Sequence, residues 1–280
     1  MTQPDIVTVA APPPDTRLGD GLRIGLFDSG LGGLSVLRAL RQHMPQAQLL
    51  YIADSANAPY GERDDAFIAE RSLAISGFLL SQGAQAVVVA CNTATAMAVH
   101  TLRQRWPEVP IVGVEPGVKP AVALSARKRI GVLATPGTLA SGKFKRLIES
   151  HGHDALIVAQ PCPGLAKEIE FGQLDSPALR TLVETFSAPL RQAEVDTVVL
   201  GCTHYPFVAP LFQQALGPEV CIIDTAEAVA RQTQRVSAGL AGHAESSQPS
   251  TRLWTTGSPA HLAQVAERWL GLRAEVSTLP

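Results

Sequence analysis

The stretch Ala86–Ala96, AVVVACNTATA, returns in altered form at Thr197–Pro206, TVVLGCTHYP. In each, a run of β-branched and small apolar residues without polar alternation reads as a strand buried on both faces. A cysteine then precedes Asn-Thr or Thr-His, so Cys91 and Cys202 stand where two matching strands end. Ligands of open α/β sheets gather at the carboxyl ends of the strands. Both thiols therefore occupy places where chemistry is usual.

Outward from these strands the chain alternates. A strand at Leu22–Phe27 feeds the turn DSGLGG at Asp28–Gly33 and a helix through about His43. Strand Gln48–Ala53, the loop DSANAPYG at Asp54–Gly61 and a helix over Asp64–Gln82 follow; after Cys91 come a helix to about Arg105 and a strand at Ile111–Val114. Glu115-Pro116-Gly117 breaks the pattern, which then restarts. The second round has strand Arg129–Ala134, turn Thr135–Thr138, a helix to about His151, strand Ala155–Ala159, helices through Gln192, and strands Thr197–Leu200 and Val220–Ile223. A helix from Thr225 to about Leu240, a Gly/Ala/Ser linker at Ala241–Ser250, a strand at Arg252–Thr255 and a helix at Pro259–Gly271 close the chain. Such alternation predicts an α/β fold with mainly parallel sheets flanked by helices, here internally duplicated about Pro116. Periodicity alone does not choose which sheet the closing strand joins.

Bulk properties narrow the function classes. The 280 residues, 46% of them apolar, suffice for one large or two medium domains. A formal net charge of −2, with no basic cluster interleaved with aromatics, argues against a nucleic-acid partner. No apolar run is long enough for a bilayer span and no signal peptide is legible, so a cytoplasmic protein without membrane contact is expected. Four cysteines without regular spacing fit a reducing compartment and free thiols. Residues 1–21, rich in Pro, Thr and Asp, read as a disordered tail.

Each of the two cysteines could be a small core hydrophobe. Their equivalent placement argues otherwise. Asn92-Thr93 and Thr203-His204 supply amide, hydroxyl and imidazole groups suited to a carboxylate, and a helix N-terminus is expected to lower a thiol's pKa. Two thiols on opposite walls of one cleft suit proton transfer at carbon, one thiolate removing a proton and the other thiol delivering one to the opposite face. Zinc is disfavoured, since no paired second ligand stands near Cys91, and a Cys-His hydrolase leaves one thiol without a role. Cys162 and Cys221 read as buried structural thiols. Asp28 ends the first strand and points to the same sheet edge, as a turn or N-cap aspartate would also do. The glycines after it do not carry a dinucleotide fingerprint.

Taken together, FDSGLGGLSV at Phe27–Val36, APYGER at Ala58–Arg63, VVACNTATA at Val88–Ala96, VGVEPGVKPA at Val112–Ala121, GVLATPGT at Gly131–Thr138, LGCTHYP at Leu200–Pro206 and IIDTAEAVA at Ile222–Ala230 resemble the glutamate racemases of the aspartate/glutamate racemase family. The resemblance runs from about Leu22 to Gly271. It implies a cofactor-independent isomerase that interconverts L- and D-glutamate by two-cysteine proton transfer at Cα, supplying D-glutamate for peptidoglycan, with glutamate as its small-molecule partner and a homodimer or monomer as its assembly. It further implies that Cys91 acts on D-glutamate with help from Asp28, and Cys202 on L-glutamate with help from His204 backed by Glu170, for which Glu168 is a rival. Implied substrate positions are Asp28, Ser29, Tyr60, Gly61, Asn92, Thr93, Thr203 and His204, with Thr135 and Thr138 added from the second half. The implied architecture has two pseudo-symmetric domains, residues 22–116 with 225–280 and residues 117–224, and a site in the cleft between them. Aspartate or hydantoin racemisation and non-catalytic amino-acid binding are the rival readings.

Overall fold

A computed structural model describes residues 21–240 and 250–279. The expected tail, apart from Gly21, and the linker at 241–249 lie outside the described residues. Among the described residues there are ten strands: β1 (Arg23–Asp28), β2 (Gln48–Ala53), β3 (Ala86–Val89), β4 (Ile111–Gly113), β5 (Arg129–Ala134), β6 (Leu156–Pro161), β7 (Thr197–Leu200), β8 (Cys221–Ile223), β9 (Thr251–Thr255) and β10 (Val276–Thr278). The helices between them are α1 (Leu34–His43), α2 (Asp65–Ser81), α3 (Asn92–Arg105), α4 (Val118–Leu124), α5 (Pro136–Ala140), α6 (Gly142–His151), α7 (Leu165–Glu170), α8 (Pro177–Gln192), α9 (Ala209–Leu216), α10 (Ala226–Ser237) and α11 (Pro259–Leu270).

All strand pairs are parallel and form two sheets, ordered β10-β9-β2-β1-β3-β4 and β6-β5-β7-β8. The inner order of the first, β2-β1-β3-β4, repeats in the second. The duplication read from the sequence is thus a duplication of topology, and β3 and β7 are equivalent strands. The closing strand, β9, pairs with β2, extending the first sheet.

Both sheets are covered on both faces, the reason their strands lack polar alternation. On one face of the first sheet Leu26 and Leu253 pack with Leu37 and Leu40 of α1 and Val265 of α11; on the other, Phe27 and Val87 pack with Ile75 of α2 and Leu102 of α3. The second sheet buries Leu133 and Val198 against Val183 and Phe186 of α8, and Val132 and Val199 against Phe144 of α6. Each fully buried side chain of this size contributes about 1.5–3 kcal/mol. Gly25 sets the spacing of one layer, because a Cβ there would stand 3.0 Å from the Cβ atoms of Leu79 and Ala84.

The structure departs from the expected elements in four places. The helix expected through His151 is broken at Ser141, whose extended backbone starts α6 and whose hydroxyl caps Phe144 N at 3.1 Å. Residues after the Glu115-Pro116-Gly117 break form α4, which buries Val118 and Ala121. A short edge strand, β10, follows α11. Cys221, expected to be a buried thiol, is exposed on β8, since β8 is an edge strand. Among the described residues no helix is long and apolar enough to cross a membrane.

Candidate active site

Cys91 and Cys202 border one cavity of about 10 Å3, the room that one water needs. Each follows the carboxyl end of an equivalent strand, β3 or β7, and each is nearly buried. Of the residues singled out in the sequence, Ser29, Tyr60, Gly61, Asn92, Thr93, Thr135, Thr138, Thr203 and His204 line the same cavity. Asp28 and Glu170 lie behind this wall, reaching it through Ser29 and His204.

On the first side, Cys91 is the N-cap of α3, its Sγ accepting from Ala94 N at 3.5 Å and its thiol donating to Ser29 Oγ at 3.7 Å. Asp28 ends β1 with no exposed surface. Its Oδ1 accepts from Ser29 N at 2.6 Å and its Oδ2 from Thr203 Oγ1 at 3.0 Å. Burial raises the Asp28 pKa and outweighs the opposing pull of His204. The helix cap was expected to lower the Cys91 pKa, and the structure reverses this. Desolvation pushes the thiol well up, the neighbouring Asp28 carboxylate adds to it, and one long amide contact cannot offset them. At rest Cys91 therefore holds its proton.

The second side is built differently. Cys202 is followed by a turn and a 3-10 segment at Tyr205–Val208, so it caps no helix. Its Sγ instead meets His204 Nδ1 at 3.6 Å, and the far nitrogen of that ring, Nε2, meets Glu170 Oε1. Leu31 N donates to the same Glu170 oxygen at 2.5 Å. Burial opposes protonation of His204, yet the hydrogen bonds to Cys202 and Glu170 prevail and hold its pKa well above the ordinary histidine value. Glu168 does not compete for this place. Its Oε1 accepts from Ser176 Oγ at 2.9 Å, because the side chains of residues two apart point away from each other on α7.

Three hydroxyls join the two sheets at the cavity. Thr93 Oγ1 lies 3.1 Å from Thr135 Oγ1 and 3.2 Å from Thr138 Oγ1, and the last two are 3.0 Å apart. Beside them the Asn92 amide nitrogen is buried with no hydrogen-bond partner. An orphaned buried donor is costly, so it is suited to an acceptor group entering the cavity. Tyr60 lines the cavity, and its hydroxyl donates to Asp54 Oδ2 at 2.5 Å.

The sequence reading missed several supporting groups. Tyr51 OH donates to Gly30 O at 2.6 Å, Ser35 Oγ to Thr203 O at 3.0 Å, and His261 of α11 meets the Glu170 carbonyl at 2.7 Å. Each acts over a long sequence separation and belongs to no local pattern. The pairing of Asp54 with Arg71 of α2 has no local signature either.

The chain as a whole is similar to known proteins. The family model described as Asp/Glu/Hydantoin racemase matches residues 34–233. A glutamate racemase of Pseudomonas aeruginosa is 48% identical over 242 residues, 86% of this chain and 91% of that protein. The structure of a glutamate racemase isoform from Bacillus anthracis matches with a TM-score of 0.84 at 32% identity, covering 92% of this chain and 97% of that one. The Escherichia coli glutamate racemase, solved with L-glutamate and the activator UDP-MurNAc-ala, matches with a TM-score of 0.82 at 29% identity, covering 95% and 98%. With most of its length matched by one family model and aligned to such relatives nearly end to end, this chain belongs to the Asp/Glu/hydantoin racemase family, among the glutamate racemases.

Proposed function

We propose that this chain interconverts L- and D-glutamate without a cofactor, Cys91 and Cys202 exchanging the Cα proton on opposite faces of the substrate. The observation that carries the reading is that two thiols from equivalent strands of two sheets border one cavity.

In the forward or reverse direction one sulfur, as thiolate, takes the Cα proton, and the C–H electron pair is left on Cα, spread into the α-carboxylate. The opposite thiol then gives its proton to the other face of Cα, leaving inverted glutamate and a pair of sulfurs whose protonation is exchanged. A buried Cys91 thiol resists losing its proton; the substrate's ammonium, arriving beside it, favours the thiolate. On the far side His204 contacts Cys202 and can pass a proton to or from it, while Glu170 holds the ring. Asp28 orients Ser29 next to Cys91. The unpaired Asn92 amide and the hydroxyls of Thr93, Thr135 and Thr138 suit the two carboxylates, with Ser29, Tyr60, Gly61 and Thr203 completing the wall.

A cavity the size of one water is too small for glutamate, so the walls have to part for entry and close around it. We assign that movement to two domains, residues 22–116 with 225–280 and residues 117–224. The reading assigns the enzyme to the cytoplasm, where thiols stay reduced, and its product to peptidoglycan synthesis.

The test is incubation of the protein with either enantiomer of glutamate in D2O. Optical rotation should decay to zero and the newly formed enantiomer should carry deuterium at Cα. Racemisation without solvent deuterium in the product, or none at all, overturns the reading.

A further inference from the structure

Among the described residues the carboxylate with the most side-chain hydrogen bonds is Asp54, at the end of β2 with no exposed surface. Arg71 of α2 donates to both its oxygens, Nε to Oδ2 at 3.0 Å and Nη2 to Oδ1 at 2.8 Å. Tyr60 OH donates to Oδ2 at 2.5 Å, Asn57 Nδ2 to Oδ1 at 3.0 Å and Thr256 Oγ1 to Oδ1 at 2.8 Å. Burial pushes this carboxyl's pKa up, but the bonds from Arg71, Tyr60 and Asn57 more than offset that and hold it below the usual carboxylate value. It stays ionised in the folded protein.

These donors come from three separate parts of the chain. Tyr60 and Asn57 belong to the loop that closes one wall of the cavity; Arg71 is the next helix; Thr256 follows β9, where the chain returns to the first sheet. Thr256 also accepts from Ala56 N at 3.1 Å, a second tie to the same loop. On its other side the loop meets the second sheet's turn. A Cβ on Gly61 would stand 2.9 Å from Thr135 Cβ, and one on Gly137 3.1 Å from the Gly61 carbonyl. The loop is thus pinched between Asp54 behind and Thr135-Gly137 in front.

We infer that Asp54, clamped by Arg71, is a positioning residue that holds Tyr60 and Gly61 in the cavity wall and couples the returning C-terminal segment to the site through Thr256. Tyr60 is therefore an intermediary that lines the cavity and whose hydroxyl is anchored on Asp54. This rests on the racemase reading for its kinetic consequence, though not for the anchoring itself.

The experiment is a double-mutant cycle of Asp54→Asn and Tyr60→Phe in the full chain, with Thr256→Val as a milder variant. It is read by KM and kcat for both enantiomers and by hydrogen exchange of the amides of residues 55–61. Asp54→Asn should raise KM about tenfold with a smaller fall in kcat, and Tyr60→Phe several-fold, with the double variant no worse than Asp54→Asn alone. Amides 55–61 should exchange faster in Asp54→Asn, and Thr256→Val should show the same effects weakly. Exchange and KM unchanged in a folded Asp54→Asn, or strictly additive KM effects, overturn the inference. If Asp54→Asn does not fold, Tyr60→Phe and Thr256→Val decide alone: unchanged loop exchange in both overturns it. A wild-type protein inactive on glutamate counts against the racemase reading only, and the exchange measurement still decides the anchoring.

Discussion

Thr203 Oγ1 donates a 3.0 Å hydrogen bond to Asp28 Oδ2, so the carboxylate on the Cys91 side is held by the residue next to Cys202. Asp28 ends a strand of the first sheet and Thr203 follows a strand of the second. The two halves of the site are therefore one hydrogen-bonded unit, and disturbing either should be felt by both.

Asp28→Asn should accordingly lower kcat/KM by about 100-fold or more, because Ser29 and Thr203 donate to different oxygens of the carboxylate and an amide keeps an acceptor at only one of the two places. Enantiomers have equal free energy, so the loss must be the same in both directions. A raised folded-state pKa means the native protein binds more protons than the unfolded chain between the ordinary carboxylate value and the raised one. Asp28 therefore costs stability as pH rises through that window. Asp28→Asn should lose activity yet gain Tm relative to wild type from acid to neutral pH; a Tm difference that does not change with pH refutes this.

His204 gives the opposite trend. Its folded pKa is raised, so its stabilising contribution is complete below about pH 6.5 and is lost as pH climbs toward the folded value. Thermal melts of wild type and His204→Asn across pH 5.5–9 should show the widest gap at the acid end. A gap that widens toward alkaline pH would contradict the pairing with Glu170.

Replacing either thiol by Ala should abolish most turnover. Cys91→Ala and Cys202→Ala are each expected to fall at least about 1,000-fold in racemisation, measured by circular dichroism of either enantiomer. Both cysteines sit at cavity walls and Ala is a smaller apolar substitute, so the fold should persist. Full activity in either variant would remove that sulfur from the reaction.

The glycines of the first turn are predicted to be sensitive for lack of space. A Cβ on Gly32 would overlap the His204 ring, and one on Gly30 the Glu170 carboxylate. Gly32→Ala should cut kcat about 10- to 100-fold and also lower Tm, since the added Cβ has to displace the buried His204 ring. Gly217, with φ +97° and nothing within 4 Å, predicts a loss of stability alone: Gly217→Ala should cost about 1–3 kcal/mol and leave kcat unchanged. Both are checked by paired melts and initial rates.

Most of the order of strands and helices, though not α4, β10 or the break at Ser141, was legible from the residues alone, as were the duplication and the two thiols at matching strand ends. These depend on local quantities: an apolar run long enough for a strand, a turn after it, a cysteine at a countable position. Tertiary structure alone decided that both thiols face one cavity, that Glu170 and not Glu168 reaches His204, and that β9 joins the first sheet. It also decided the protonation of Cys91, where the local signal, a helix N-terminus, pointed the wrong way. Desolvation and the field of Asp28 are set by what the rest of the fold packs around the sulfur, and no pattern within the segment encodes that.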